Sequence, residues 1–278
     1  MVFEAEQIEL DQAGLSWLAY ILLTTLCGFW YAWQWYFNRV NASLEEAIGL
    51  FFILIFVAVI AIKQVYKTQR IYRFSLWPVV SLLLIYALTF LLVFPDIIRS
   101  ALAFLTLFLV IYWLAFGKQP PIAFWGLVLI SLPVVPSMQF YLGYPARYIS
   151  ASLTVPLLQL NGLSVSQSGT NLIWENQLLQ FDAPCSGVTM LWAGLLLTFF
   201  ISLVYRFNIT RTALAVLIAC FLILVGNVLR AGSLFYLETG LITVEYSWFH
   251  EAIGVVTFIM VALMLMWLLE KIQQRSIK

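Results

Sequence analysis

Long apolar stretches recur along this chain, and short polar segments separate them. An α-helix rises 1.5 Å per residue, so roughly 20 apolar residues cross the hydrocarbon layer of a bilayer. By this criterion the pattern predicts eight transmembrane helices: Leu15–Phe37, Ala47–Ile62, Leu76–Phe94, Ile98–Phe116, Ile122–Leu142, Val188–Tyr205, Thr212–Phe235 and Phe249–Leu269. Pro133 and Pro136 are expected to kink the fifth helix. The fold class predicted is an all-α, polytopic membrane helix bundle.

The positively charged residues fall mainly on one side of this eight-helix arrangement. Cytoplasmic loops of membrane proteins carry an excess of Lys and Arg, which predicts the orientation. The side rich in positive charge holds Lys63, Lys67, Arg70, Arg73, Lys118, Arg206, Arg211, Lys271, Arg275 and Lys278. The opposite side holds only Arg39, Arg99 and Arg147. We therefore expect a multi-pass protein with both termini in the cytoplasm.

The longest predicted connection, Gly143–Pro184, falls on the outer side. Its first part, Pro145–Leu160, mixes polar and apolar residues and predicts a helix lying along the membrane interface. Two short runs of β-favouring residues, Asn171–Trp174 and Leu178–Phe181, flank a polar turn and predict a small hairpin. The connection then leads into the segment Asp182–Gly187, just before the sixth helix.

The composition excludes a water-soluble protein. Hydrophobic residues make up 63% of the 278 residues and charged residues 10%, against roughly 45–50% and about 25% in soluble domains. The net charge of +1 gives no basis for nucleic-acid binding. A single His and three Cys with no CxxC spacing predict neither a metal centre nor a disulfide framework. We expect one integral-membrane domain over residues 1–278 that needs no cofactor.

Three reactive residues come from three different predicted helices and reach the same outer region. Cys185 lies at the outer end of the sixth helix, Arg230 lies five residues before the outer end of the seventh, and His250 opens the eighth. A charge within a span costs at least ~2.5 kcal/mol, so Arg230 indicates a functional site by default. Because the topology was deduced from other charges, this coincidence is independent evidence for a site.

The chemistry that these residues allow is nucleophilic acyl transfer. A thiol becomes an effective nucleophile when a base or a helix N-terminus favours its thiolate. Cys185 has Pro184 before it at a predicted helix start, and His250 is a candidate base. Arg230 would stabilise a developing oxyanion or bind a substrate carboxylate.

Other residues around these positions have more than one interpretation. Asn227 is one turn before Arg230 and would either orient His250 or bond between helices. Ser186 and Asp182 flank Cys185 and are supporting candidates, and Asp182 is also an alternative base. Arg230 itself has a structural alternative, as the ion-pair partner of an acidic residue: Asp182, Glu238 or Glu245. Cys27 and Cys220 lie within apolar stretches and are interpreted as small hydrophobic fillers.

Three motifs together resemble the exosortase/archaeosortase family. They are Ala183-Pro184-Cys185-Ser186-Gly187 at a helix start, Asn227-Val228-Leu229-Arg230 near the end of the next span, and Phe249-His250 opening the last. The resemblance covers about Pro95–Leu269, which it marks as the catalytic core, whereas residues 1–94 match only as generic spans. It implies a membrane-embedded cysteine transpeptidase or protease with Cys185 as nucleophile, His250 as acid/base and Arg230 as electrostatic stabiliser.

The resemblance also implies the substrate and the setting. Members of this family process exported proteins that carry a C-terminal tag: a short motif such as Pro-Glu-Pro, an apolar helix and a basic end. This implies a prokaryotic plasma membrane, an active site on its outer face, and an amine, a glycan lipid or water as acceptor. Two alternatives stay open: a non-enzymatic transporter or channel-like subunit with Arg230 in an anion path, and a His-dependent acyl or glycan transferase.

Overall fold

The computed structural model describes residues 6–9, 12–41, 59, 66–67, 70–175, 177–179, 186–242 and 248–275. Helices dominate these ranges: α1 (Gln12–Gly28), α2 (Trp30–Val40), α3 (Trp77–Leu91), α4 (Asp96–Phe116), α5 (Ile122–Ile130), α6 (Val135–Leu160), α7 (Val188–Val204), α8 (Ile209–Glu238) and α9 (Phe249–Gln274). Five short strands accompany them: β1 (Glu6–Glu9), β2 (Arg70–Arg73), β3 (Ser166–Ser168), β4 (Asn171–Trp174) and β5 (Gln177–Leu179). The chain divides into two compact units, residues 1–134 and 135–278. The expected all-α character is confirmed in this broad sense.

Residues 1–134 form a helical unit with an aromatic core. Phe74 packs edge-on against Trp113 of α4, with ring centroids 4.9 Å apart, and both side chains are buried. Such ring pairs stabilise a fold by about 0.5–1.5 kcal/mol beyond the burial of their area. In the same unit β1 pairs antiparallel with β2, with Glu6 opposite Arg73. The resemblance assigns α4 and α5 to the catalytic core, yet both helices belong to this first unit.

The first predicted span, Leu15–Phe37, is wrong as a single helix. It is divided at Phe29, whose φ of −107° and ψ of 22° leave the helical region. A Cβ added to Gly28 would lie 2.6 Å from Cδ2 of Leu83 in α3. Glycine lets α3 approach this closely, and it also weakens the helix at that point. The same residue therefore explains both the contact and the break.

The fifth predicted span, Ile122–Leu142, is also wrong as a single helix. The helix ends at Ile130, and α6 starts only at Val135. Pro133 has no N–H to donate and disfavours helical angles at the residue before it, so the chain is interrupted rather than kinked. Pro136 follows at the second position of α6, where a proline is tolerated because the N–H it lacks has no partner in the helix.

The predicted outer connection is more ordered than a loop. α6 runs through to Leu160, so the whole of Pro145–Leu160 is helical, as expected, but as the end of a longer helix that starts at Val135. Its buried residues recur at helical spacing along one face: Gly143, Ser150, Ala151, Thr154 and Leu158. This face packs inside the second unit, which corrects the start of the connection from Gly143 to Asn161.

Fewer helices qualify as membrane spans than the eight predicted. Among the described residues, α4, α8 and α9 are long and apolar enough to cross a bilayer, and α5 with α6 would add a fourth as one broken span. The apolar helices α3 and α7 have 15 and 17 residues, short of the 20 or so that a span needs. The second predicted span, Ala47–Ile62, lies outside the described residues except for Val59. A multi-pass membrane protein is supported, but the number eight is not confirmed.

The second unit is organised around α8, which contacts α6, α7 and α9. Small residues allow these close approaches: Gly226 of α8 faces Val261 of α9, and Gly194 of α7 faces Ile223 of α8. Small residues are the usual means by which helices pack in membranes, where lipid offers no hydrophobic driving force between them. Asn208 caps the start of α8, because its side-chain oxygen accepts a hydrogen bond from the Arg211 N–H.

A three-stranded antiparallel sheet covers the end of this bundle. β4 lies between β3 and β5, with Ser166 opposite Ile173 and Trp174 opposite Gln177. β4 and β5 pair where the hairpin was predicted, but its position on the outer side of a membrane is not confirmed. Of its second run, Leu178 and Leu179 lie in β5, while Gln180 and Phe181 are outside the described residues. Leu172 is fully buried and the Trp174 ring packs edge-on against Phe235 of α8. The sheet therefore rests on the part of α8 that carries Arg230.

Candidate active site

Arg230 lies inside α8, eight residues before its last residue. At 1.5 Å per residue this places it about 12 Å from the end of the helix, because α8 continues three residues past the end of the predicted span at Phe235. Its side chain is partly buried, and the Nε atom is fully so. Nothing in the apolar sequence around it requires a guanidinium, which keeps Arg230 the leading candidate for a functional charge.

The Arg230 guanidinium lies against Gly254 of α9. A Cβ added to Gly254 would be 3.3 Å from Nε of Arg230, 3.6 Å from Cζ and 3.6 Å from Nη2. Gly254 comes four residues after His250, and one helical turn corresponds to about 6 Å along the helix. Arg230 is thus level with the turn that follows His250, on the neighbouring helix.

His250 is the second residue of α9, and the carboxylate of Glu238 lies close to its imidazole. Nε2 of His250 lies 3.9 Å from Oε1 of Glu238, the last residue of α8. Both side chains are nearly half exposed. The sequence had left Glu238 as a possible partner of Arg230, whereas the structure places its carboxylate beside the imidazole.

Asn227 joins α8 to two other helices. Its Nδ2 donates a 2.9 Å hydrogen bond to Oγ of Ser150 in α6. Its amide also packs on Gly187, where an added Cβ would lie 2.6 Å from Cγ of Asn227. Gly187 has a positive φ of 74° and caps the N-terminus of α7, a conformation that favours glycine. The hydrogen bond to Ser150 agrees with the interpretation of Asn227 as a residue that bonds between helices.

Ser186, next to Gly187 in the chain, is held in place by two hydrogen bonds. It is buried, its Oγ donates a 3.0 Å hydrogen bond to Oε1 of Gln139 in α6, and it accepts from the N–H of Val188. Cys185 and Asp182 lie outside the described residues. Cys185 is bonded directly to Ser186, so Ser186, Gly187 and Asn227 together anchor the chain that leaves the predicted nucleophile.

A cavity of about 200 Å³ opens beside this anchor, between α6, α7 and α8. Most of its walls are aliphatic, with Leu142, Ile149 and Leu191 among them. Its polar lining comes from Ser150, Ser186 and Asn227, and the thiol-bearing Cys220 also borders it. Apolar pockets with a few polar groups at one end are typical of binding sites.

The other two cysteines differ from the expectation of buried fillers. Cys27 in α1 and Cys220 in α8 are both exposed on their helices. A thiol behaves as a small hydrophobic group, so on an apolar helix it faces lipid without placing a polar group in the bilayer. They are therefore surface thiols of apolar helices rather than core residues.

Sequence reasoning missed Ser150 and Gly254, which complete the contacts of Asn227 and Arg230. A weak signal existed for Gly254, since a glycine one turn after the only His leaves open space next to a candidate site. It also missed that Arg99, assigned to the outer side, is buried in the first unit. Arg99 pairs with Asp96 at 2.7 Å and lies 4.2 Å above the Phe90 ring, so its charge is compensated locally.

Comparison with known proteins identifies one family. The family model described as a transmembrane exosortase matches residues 40–267, which is most of the chain and includes all three predicted motifs. No curated protein and no solved structure matches the chain.

Proposed function

Because this chain belongs to the transmembrane exosortase family, we propose that it is a membrane-embedded cysteine transpeptidase or protease. Its substrates are exported proteins that end in a sorting tag: a short Pro-Glu-Pro-like motif, an apolar helix and a basic end. Cys185 is the nucleophile, His250 the acid/base and Arg230 the stabiliser of negative charge. The enzyme lies in a prokaryotic plasma membrane with both termini in the cytoplasm and the active site at the outer face.

One observation carries this proposal: a single turn of α8 contacts both halves of the proposed site. Asn227 packs on Gly187, two residues after Cys185, and Arg230 packs on Gly254, one turn after His250. Residues three apart on a helix lie on neighbouring positions of its surface. α8 therefore ties the segment that follows the nucleophile to the helix that carries the base.

The reaction follows from the roles of the three side chains. His250 takes the thiol proton of Cys185, and the thiolate sulfur attacks the carbonyl carbon of the scissile peptide bond. The oxygen becomes negatively charged, and the Arg230 guanidinium stabilises it by charge-assisted hydrogen bonds. When the carbon–nitrogen bond breaks, His250 returns the proton to the leaving amine of the tag. The product is a thioester between Cys185 and the exported protein.

A second nucleophile then releases the protein from Cys185. An amine forms a new amide bond (transpeptidation), a hydroxyl of a glycan lipid forms an ester, and water gives hydrolysis; in each case the Cys185 thiol is released. The sequence and the site are compatible with each acceptor, because the chemistry at the thioester carbonyl is the same. Hydroxylamine intercepts a thioester and forms a hydroxamate at the new C-terminus, which mass spectrometry detects.

The transporter alternative has less support. An anion path would require Arg230 to line an open route, whereas its guanidinium packs against α9 with Nε buried. The 200 Å³ cavity is lined by other residues. A His-dependent transferase is distinguished by the thiol, because it would not need Cys185.

The experiment that tests the proposal is co-expression with exported reporters that carry candidate tags. We expect the reporter to lose a mass equal to the tag in the presence of the wild-type protein. Cys185→Ser should leave the reporter intact, whereas the matched variant Cys27→Ser, in a different apolar helix, should process it normally. Processing by Cys185→Ser at the wild-type rate would contradict the proposal and favour the transferase.

A further inference from the structure

Gly254 differs from the other glycines whose contacts are described, because its bare face meets a charged side chain. The space where its Cβ would lie faces the Nε, Cζ and Nη2 atoms of Arg230, at 3.3, 3.6 and 3.6 Å. Three guanidinium atoms at similar distances mean that the planar group lies across the bare face of the glycine. Other interhelical glycines of this unit face aliphatic side chains, as Gly226 faces Val261 and Gly232 faces Leu157.

The backbone at this position does not require glycine. Gly254 lies in the interior of α9, and it is not among the glycines with positive φ. Glycine within a helix is unfavourable relative to alanine, because it loses more conformational freedom on folding. The residue is therefore explained by the space that it leaves rather than by the conformation that it adopts.

We propose that Gly254 is a positioning residue that sets where the Arg230 guanidinium lies relative to His250. The inference rests on the proposed function, in which Arg230 stabilises the oxyanion and His250 moves the proton. Both groups are positioned by the same helix. His250 belongs to the first turn of α9, and the Arg230 guanidinium packs against the next turn. The bare face of Gly254 sets how close the guanidinium comes to the α9 axis.

Small shifts at this contact have large consequences for the reaction. A Cβ at 3.3 Å from Nε is closer than ordinary van der Waals contact, so alanine would displace the guanidinium by a few tenths of an ångström. Valine adds two more methyl groups toward the same atoms and requires a larger displacement. Catalytic groups must be held within roughly 0.5 Å of the productive geometry, and a misplacement of about 1 Å can lower the rate about 10²-fold.

The test compares two substitutions at Gly254 with a matched control. In tag cleavage we expect kcat to fall about 10-fold in Gly254→Ala and about 10²-fold in Gly254→Val, with little change in KM. The control is Gly232→Ala, where the new Cβ would lie 3.2 Å from Cδ2 of Leu157. This contact is just as tight but aliphatic, so Gly232→Ala should keep the wild-type kcat. Wild-type kcat in Gly254→Val would overturn the proposal.

A second measurement separates positioning from folding. Alanine favours a helix more than glycine does, so Gly254→Ala should unfold in detergent at a temperature no lower than the wild type. In an Arg230→Lys background, Gly254→Ala should lower kcat less than twofold further, because the guanidinium that it displaces is absent. A full 10-fold loss in that background would contradict a role through Arg230.

The failure of this inference is distinguishable from the failure of the proposed function. The contact between Gly254 and Arg230 is measured without an activity assay, by a double-mutant cycle in which Gly254→Ala and Arg230→Lys are compared by thermal unfolding. Non-additive shifts in Tm establish the contact even if no reporter is ever cleaved, in which case only the enzymatic role falls. Additive shifts would overturn the positioning role whatever the activity.

Discussion

The carboxylate Oε1 of Glu238 lies 3.9 Å from Nε2 of His250, joining the end of α8 to the start of α9. The separation is that of an ion pair rather than of a hydrogen bond. Both side chains are nearly half exposed, 43% for Glu238 and 46% for His250, so water screens the interaction. The two side chains therefore form a weak, solvent-screened contact between the two helices.

Glu238→Gln should have a small effect on catalysis. Exposed ion pairs are typically worth 0–1 kcal/mol, so kcat for tag cleavage should fall about two- to fivefold. Glu270→Gln, on the far end of α9, is the matched control and should leave kcat unchanged. The difference between the two variants should shrink at high salt. A loss of 100-fold in Glu238→Gln would mean that Glu238 has a direct catalytic role instead.

Arg230→Lys should preserve the fold and lose most of the activity. A point ammonium cannot reproduce the planar fork of a guanidinium, and removal of one oxyanion donor commonly lowers the rate ~10²–10³-fold. Arg211→Lys, in the first turn of the same helix, should retain wild-type kcat. Expression and thermal unfolding are measured in parallel. Normal turnover in well-folded Arg230→Lys would favour a structural role for this charge.

His250→Ala should slow the alkylation of Cys185. An ordinary thiol has a pKa near 8.5, and a nearby base raises its thiolate fraction at neutral pH. In the variant, the pH profile of alkylation should therefore shift towards that of an ordinary thiol, and tag cleavage should stop. Cys27 and Cys220 are internal controls for the labelling. They are thiols of apolar helices, so they should react slowly with a membrane-impermeant probe in both proteins. Unchanged alkylation and cleavage would remove His250 from the mechanism, with Asp182 and Glu251 the next candidates.

Ser150→Ala should destabilise the second unit. It leaves the buried Asn227 amide without its 2.9 Å acceptor, which costs about 1–3 kcal/mol in the free energy of unfolding. Gly187→Ala should be worse, since it combines strain at a φ of 74° with a Cβ only 2.6 Å from Asn227 Cγ. Adding Asn227→Ser to Gly187→Ala should recover only the part due to the contact. Thermal unfolding in detergent measures both, and full recovery in the double variant would show that the backbone is unstrained.

The predicted topology has its own test. Cysteine accessibility or reporter fusions at Gln69 and Ser168 should give opposite answers, with Gln69 inside and Ser168 outside. Ser168 is exposed at the end of β3, so a substitution there should not disturb the sheet. The same answer at both positions would contradict the placement of the active site at the outer face.

Much of this protein follows from its sequence. Apolar runs become helices because a backbone surrounded by lipid must satisfy its hydrogen bonds internally. α7 and α8 begin and end within three residues of the predicted bounds, and α9 begins at the predicted residue but ends five residues later. Arg230 stood out because a charge within an apolar helix is costly. The three motifs pointed to the family that the comparison then identified over residues 40–267.

The tertiary structure decided what those residues touch. In the sequence Gly28 is one more residue of an apolar run, whereas in the structure it lies against Leu83 and directly precedes the break between α1 and α2. The contacts of Asn227 with Ser150 and Gly187 could not be read from the sequence, because all three residues lie on different segments of the chain. The sequence around Gly254 gives little indication of a role, because what matters is the space that the glycine leaves for a guanidinium on another helix. Hydropathy and helical period report the environment of each residue along its own helix, whereas close helix packing depends on small residues whose partners lie far away in the chain.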